Sequence, residues 1–192
     1  MQQVTLAILA GGKSSRLGGI DKALIAVDGV PLINRIYNTF KNDVSEVIVI
    51  SNGNNGYAIE ANVLPDIIKN CGPLGGIHSA LTHACNPLVF VVSVDMPFAN
   101  HDVYNQLLNL YFRANAEVVV PRHGNLLEPL FGLYSKALES KVTSILSDMQ
   151  GHPITDLLNA ANTHYLQLPD DFQTRMWFYN INTPDDLKAL EL

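Results

Sequence analysis

Cysteine is scarce: there are two, Cys71 and Cys85, in no C-x-x-C spacing. That excludes a disulfide framework and fits a reducing compartment in which both are ordinary free thiols. Charge is sparse as well, at 16% of the chain, with 12 Lys and Arg against 18 Asp and Glu for a net charge of −6. No block of basic residues occurs, so neither a nucleic acid nor an anionic membrane is expected as a partner. No apolar run reaches the ~18 residues of a membrane span, and no basic, cleavable leader precedes Val4, so the expected location is the cytoplasm. Internal repeats, linkers and low-complexity stretches are missing. The six histidines form no H-E-x-x-H or other clustered spacing, which argues against zinc. No G-x-S-x-G elbow exists, and the single tryptophan, Trp177, is expected to pack in the interior.

What is present is a globular chain. At 192 residues, 47% of them hydrophobic, it suits one domain spanning 1–192, long enough to bury about 70% of the surface its unfolded form exposes. Short β-branched runs recur at Val4–Leu9, Glu46–Ser51, Leu88–Asp95 and Glu117–Pro121. They are too short for lone helices and too continuous for half-exposed strands, so they predict buried strands. Helical spacing lies between them: Leu32, Ile33, Ile36, Tyr37 and Phe40 after a first-turn Pro31; Ile77, Leu81 and Ala84; and Val103, Leu107, Leu108 and Tyr111. Further on, a strand is expected at Pro129–Tyr134, a helix at 136–149, and a last helix with Thr183 as N-cap and Pro184 in its first turn. Alternating strands and helices predict an α/β fold of three layers around a mostly parallel, doubly wound, Rossmann-like sheet, with ligands at the carboxyl ends of the strands.

Immediately after the first run stands Leu9-Ala10-Gly11-Gly12-Lys13-Ser14-Ser15-Arg16-Leu17-Gly18-Gly19-Ile20-Asp21-Lys22-Ala23-Leu24. Four glycines, two serines and three cations between apolar segments describe either a tight surface turn or an anion cradle. In a cradle, backbone N–H groups approach phosphates while Arg16 and Lys22 neutralise them. A Walker A loop would need glycine where Ala7 stands, and G-x-G-x-x-G is absent, so neither ordinary P-loop chemistry nor a nicotinamide cofactor is indicated. Asp95, followed by Met96-Pro97 at the end of a strand, suits either a loop carboxylate or a Mg²⁺ ligand, since Mg²⁺ takes one or two carboxylates plus substrate phosphates. Gly72-Pro73-Leu74-Gly75-Gly76 ahead of a helix is either a tight helix start or a backbone edge open to a flat base. Asn180 and Asn182, in Asn180-Ile181-Asn182-Thr183-Pro184, fall on one side of an extended segment and can present two amides or cap the following helix.

The stretch Leu9–Leu24 resembles the signature loop of the nucleotidyltransferases that share the sugar-nucleotide and molybdenum cofactor transferase fold, with Leu17 where methionine is usual. Glu128-Pro129-Leu130-Phe131-Gly132-Leu133-Tyr134-Ser135 is similar to a stretch common in the molybdenum cofactor branch, so the chain resembles the molybdenum cofactor guanylyltransferases. The resemblance implies transfer of GMP from GTP to the terminal phosphate of molybdenum-bound molybdopterin, with Mg²⁺ as cofactor and other molybdenum cofactor biosynthesis proteins as partners. It places Leu9, Ala10, Gly11, Gly12, Asn52, Asp66, Gly72, Pro73, Leu74 and Gly75 at the nucleotide. It puts Arg16 and Lys22 on the phosphates, Asp95 on the metal and the nucleotide, and Asn180 and Asn182 at the acceptor. Related transfer of CMP, transfer to a sugar phosphate, and a catalytically silent cofactor-handling protein stand as alternatives. Segments 98–124 and 151–178 match no motif.

Overall fold

A computed structural model gives the fold and describes residues 3–11, 21–53 and 56–189. Its centre is β1 (Val4–Leu9), buried at every position. It pairs in parallel with β4 (Glu46–Ile50) on one side and with β6 (Leu88–Ser93) on the other. Alternation along β1 sends Val4, Leu6 and Ile8 into one core and Ala7 and Leu9 into a second core on the opposite face. A strand buried on both faces is apolar on both, with Thr5 the one polar residue of β1, which is why these runs show no polar alternation. Truncating the fully buried Leu6 to alanine would cost about 2–5 kcal/mol.

The first core lies under α1 (Leu32–Phe40) and α3 (His101–Ala114), the second under α2 (Gly72–His83), α4 (Glu139–Ile145) and α5 (Ile154–Ala160). These are the three layers. Leu74 to Leu81 of α2 are buried without interruption, so this helix shows weak amphipathicity by design of its position and not by default. In α3, Asn100 caps by accepting from the amides of Asp102 and Val103, and Asn115 closes the helix in the left-handed region at φ 48°.

The sheet order is β10-β7-β9-β6-β1-β4-β5, using β5 (Asn62–Leu64), β7 (Val118–His123), β9 (Phe131–Ser135) and β10 (Thr163–Leu168). The chain winds from β1 to β4 and β5, then returns to place β6 on the other side of β1. That reversal makes a switch point between β1 and β6, and their carboxyl ends, Leu9 and Ser93, stand opposite each other. β9 runs antiparallel between β6 and β7, which therefore point the same way. A two-residue strand β8 (Leu126–Leu127) pairs with the end of β7, and β2 (Ala26–Val27) and β3 (Val30–Pro31) form a separate hairpin.

Several expectations need correction. Pro31 is the residue ahead of α1, at ψ 144°, and not in its first turn. The strand expected to end at Pro121 runs on to His123, because the antiparallel ladder changes partner there: Val118 and Val119 pair with β9, Arg122 and His123 with β8. On its antiparallel side Pro121 falls between the two ladders, where no partner asks for its missing N–H, while β10 pairs alongside from Val118 to His123. The expected strand 129–134 occupies Phe131–Ser135, and the expected helix 136–149 divides into a 3-10 turn at Lys136–Leu138 and α4. The unmatched segment 151–178 holds α5, β10 and α6 (Phe172–Trp177). The last helix, α7 (Pro184–Lys188), has the expected Thr183 cap, reinforced by Asp186 in a reciprocal capping box.

At the amino ends of the strands, Glu46 accepts from the buried Thr5 hydroxyl and from the Cys85 amide at 2.8 Å, with Lys136 nearby. Burial pushes this carboxyl up, but those two hydrogen bonds, the Cys85 thiol and the Lys136 charge together hold the pKa below the ordinary glutamate value. A depressed carboxylate contributes stability above its unfolded pKa and loses it as the pH falls through the lowered one. Glu46→Gln should therefore lower stability by about 1 kcal/mol at neutral pH. The gap to the parent should close on acidification below the carboxylate range, as thermal melts at both pH values would record.

Candidate active site

Lys22 is placed by a short 3-10 turn, Lys22–Leu24. Asp21 accepts from the Ala23 amide at 3.0 Å and from the Tyr57 hydroxyl at 2.9 Å, and Ala23 is fully buried. With its neighbours anchored, the Lys22 ammonium extends to Asp95 Oδ2 at 3.2 Å and to Asn182 Oδ1 at 2.8 Å. Asp95 sits just past β6 between the buried Val94 and Met96, and the Val94 amide donates to Leu9 O at 3.1 Å across the switch point. Its other oxygen accepts from Ser93 Oγ at 2.6 Å. The Ile181 amide donates to the Asp95 carbonyl at 3.0 Å, fastening the Asn180–Asn182 segment to the same place. A cation, a carboxylate and an amide from three distant parts of the chain thus meet at the carboxyl edge of the sheet.

Beside this cluster lies a surface of backbone and small residues. Leu9 packs under Gly76, where an added Cβ would come within 3.2 Å of Leu9 Cδ1. The Ala10 amide donates to Ile50 O at 2.9 Å, which carries the chain toward Gly11. A Cβ on Gly11 would stand 3.8 Å from Asp66 Oδ2, so this backbone passes directly by that carboxylate. Asp66 is clamped by Asn52, whose Nδ2 donates to Oδ2 at 2.7 Å and whose Oδ1 accepts the Asp66 amide at 3.1 Å. The next amide, that of Ile67, donates to Ser79 Oγ at 2.9 Å, and Ser79 donates to Gly75 O at 3.0 Å. The Asp66 loop is thereby tied to α2. Gly72 opens the helix at φ +62°, no side chain caps its first turn, Pro73 is exposed, and Leu74 and Gly75 are buried. Uncapped first-turn amides are free to meet an anion or a polar edge.

Leu9, Ala10, Gly11, Asn52, Asp66 and the start of α2 therefore form one neighbourhood, and Lys22, Asp95 and Asn182 form another next to it. Arg16 and Gly12 lie outside the described residues. Asn180 differs from Asn182: its Nδ2 turns back to Phe178 O at 2.9 Å. Ser93, Asp21 and Tyr57 were not singled out by sequence. Ser93 was findable, since a residue two before Asp95 on an extended segment shares its face. Among the described residues no group of three or more His, Cys, Asp or Glu is arranged to hold a metal ion, and no helix is long and apolar enough to cross a membrane.

A doubly wound sheet whose switch point gathers a glycine-bearing loop, an uncapped helix start and a lysine–aspartate pair defines a nucleotide-handling α/β protein. Residues 6–164 match the family described as the MobA-like NTP transferase domain. A protein of Pelotomaculum thermopropionicum named "Probable molybdenum cofactor guanylyltransferase" is 36% identical over 97% of this chain and 91% of its own length. One of Vibrio campbellii named "Molybdenum cofactor guanylyltransferase" is 33% identical over 96% and 93%. The crystal structure of molybdopterin-guanine dinucleotide biosynthesis protein A from Archaeoglobus fulgidus superposes with a TM-score of 0.80 at 26% identity, covering 97% of this chain and 96% of that one. The chain belongs to the MobA-like NTP transferase family.

The packing at Gly75 is tight enough to test. A Cβ there would meet Cys71 Cβ at 3.0 Å and Ile68 O at 3.2 Å, so the loop carrying Asp66 would have to give. Gly75→Ala is expected to lose about 1–3 kcal/mol of stability, read by thermal melting against the parent.

Proposed function

We propose that this protein transfers GMP from GTP to the terminal phosphate of molybdenum-bound molybdopterin, forming the guanine dinucleotide cofactor and releasing pyrophosphate. The observation that carries this reading is the meeting of Lys22, Asp95 and Asn182 at the switch point, in a member of an NTP transferase family whose relatives are named guanylyltransferases. In the reaction an oxygen of the acceptor phosphate attacks the α-phosphorus of GTP, and the bond from that phosphorus to the bridging oxygen breaks. A phosphate monoester is already anionic near neutral pH, so positioning and charge neutralisation matter more than proton transfer.

Mg²⁺ fits the donor set. Asp95 and Asn182 turn hard oxygens toward one cation, the Lys22 ammonium, and a single carboxylate suits a metal that completes its shell with substrate phosphates and water. Bound there, Mg²⁺ supplies charge neutralisation for the reacting phosphates. Asp95, oriented by the Ser93 hydroxyl, holds it, and Asn182 faces the acceptor side with Asn180. Lys22 exchanges Asp95 for the departing pyrophosphate, which it holds with Arg16 and the amides of Gly11 and Gly12. Asn52 and Asp66, with the Gly72–Gly75 turn, border the base.

Asp95→Ala should lower kcat about 100-fold or more while the melting temperature stays near that of the parent. Turnover that kept its rate and its magnesium dependence would remove Asp95 from the metal. The substrates themselves are tested by pyrophosphate release with each of the four ribonucleotides, with and without molybdenum-loaded molybdopterin. GTP should be preferred over CTP by about tenfold or more, since a pocket built to pair one base leaves polar groups unpaired with another. Preference for CTP would reassign the nucleotide, and acceptor-independent or absent release would overturn the reaction.

A further inference from the structure

The Glu128–Ser135 stretch does more than supply β9. Its leading segment is pinned three times: the Glu128 amide donates to Pro121 O at 3.1 Å, the Tyr134 hydroxyl to Pro129 O at 2.6 Å, and the Ser93 amide to Leu130 O at 2.8 Å. The last of these ties it to the residue that orients Asp95. Glu128 so held shares a hydrogen bond of 2.9 Å between its Oε1 and His123 Nε2. His123 is 2% exposed and ends β7. Because β7 and β6 are both antiparallel to β9, His123 emerges on the same sheet edge as Asp95. Its Nδ1 has no hydrogen bond; Asp170 Oδ1, 3.7 Å away, is near enough for charge but too far to accept, and is itself held by Arg175 at 2.9 and 3.1 Å.

The imidazole lies flat against Phe178, with centroids 5.4 Å apart and planes 9° from parallel, and Phe131 meets the same phenyl ring edge-on at 5.6 Å. Phe178 opens the segment that carries the acceptor-side amides: its carbonyl receives Asn180 Nδ2, the Ile181 amide reaches Asp95 O, and Asn182 Oδ1 receives Lys22. One end of segment 178–182 thus rests on His123 and the other on Asp95 and Lys22. Burial pushes the Glu128 carboxyl up, with His123 pulling against it. A histidine and a carboxylate buried together contribute little stability compared with apolar residues of the same size, so their presence here calls for a role in placement.

We propose that the His123–Glu128 pair is a positioning element for the acceptor half of the site: it holds the His123 ring as a platform for Phe178 and so fixes segment 178–182, whose Ile181 amide meets the Asp95 carbonyl and whose Asn182 meets Lys22. The inference rests on the reading of the acceptor given above, and its test separates the two. His123→Ala and Phe178→Leu should each raise KM for molybdenum-loaded molybdopterin about tenfold, and the double variant should be no worse than the poorer single, since both break one chain of contacts. The Kd for GTP alone should stay within about twofold of the parent, because the nucleotide neighbourhood lies across β1. Glu128→Gln, which keeps an oxygen for His123 Nε2, should be close to the parent where Glu128→Ala matches His123→Ala. Hydrogen exchange at the Ile181 amide should accelerate in His123→Ala and Glu128→Ala with no substrate present.

Effects of the two single substitutions that multiply, a GTP Kd that rises in step with KM, a Glu128→Gln variant as damaged as Glu128→Ala, or unchanged Ile181 exchange would each overturn the positioning role. A parent protein that never transfers GMP to molybdopterin would instead overturn the acceptor, and the exchange measurement would still decide whether the pair holds segment 178–182.

Discussion

The constraint on which the rest depends is the burial of β1 on both faces and along both edges. Its backbone groups have no water to turn to, so they must be met by neighbouring strands, and its side chains need a layer of helices above and below. Parallel partners on both sides satisfy this and bring the carboxyl ends of β4, β1 and β6 to one line. The site is the consequence. The backbone leaving β1 at Ala10 and the backbone leaving β6 at Val94 diverge where the chain reverses its winding, and the gap between them is where a flat, charged ligand can meet peptide groups.

That gap is lined by groups that balance each other's charge. Lys22 and Asp95 are partly shielded, their side chains 23% and 16% exposed, and each satisfies the other while Asn182 takes a further ammonium hydrogen. An arrangement of this kind keeps a cation and an anion together without the large penalty of an unpaired buried charge. Tight geometry elsewhere, as at Asn52–Asp66, Ser79 and Gly75, leaves the Asp66 loop and the start of α2 little to rearrange.

Much of this was legible in the chain, and the parts that were not share a physical cause. Val4–Leu9 appears with the boundaries expected of it because it is wholly buried and, but for Thr5, apolar. Ala10 and Gly11 just past it, and Asp95 just past another such run, stand at strand ends as expected, while residues 12–20 of the loop lie outside the described residues. The family to which Leu9–Leu24 and Glu128–Ser135 pointed is the one to which the chain belongs. By contrast, β10 is an edge strand of mixed burial, while α5 and α6 have seven and six residues, too short for a period to show. The continuation of β7 through Pro121 depended on which strand it faced. The approach of Lys22 to Asn182, separated by 160 positions, left no trace in any local spacing, and neither did the stacking of His123 on Phe178.

The register of β1 has a consequence for how the chain is made. Thr5 pairs with Glu46, and Val4 with Leu88, so β1 waits for one later strand before its first edge is covered and for a still later one before its second. Until residue 93 has been synthesised and released, an apolar ribbon carries a row of open amide and carbonyl groups, the form most prone to pairing with a stranger. Closing loops of this length before any contact rewards them also slows the final assembly. The geometry that brings the strand ends together is therefore paired with a vulnerable interval in synthesis.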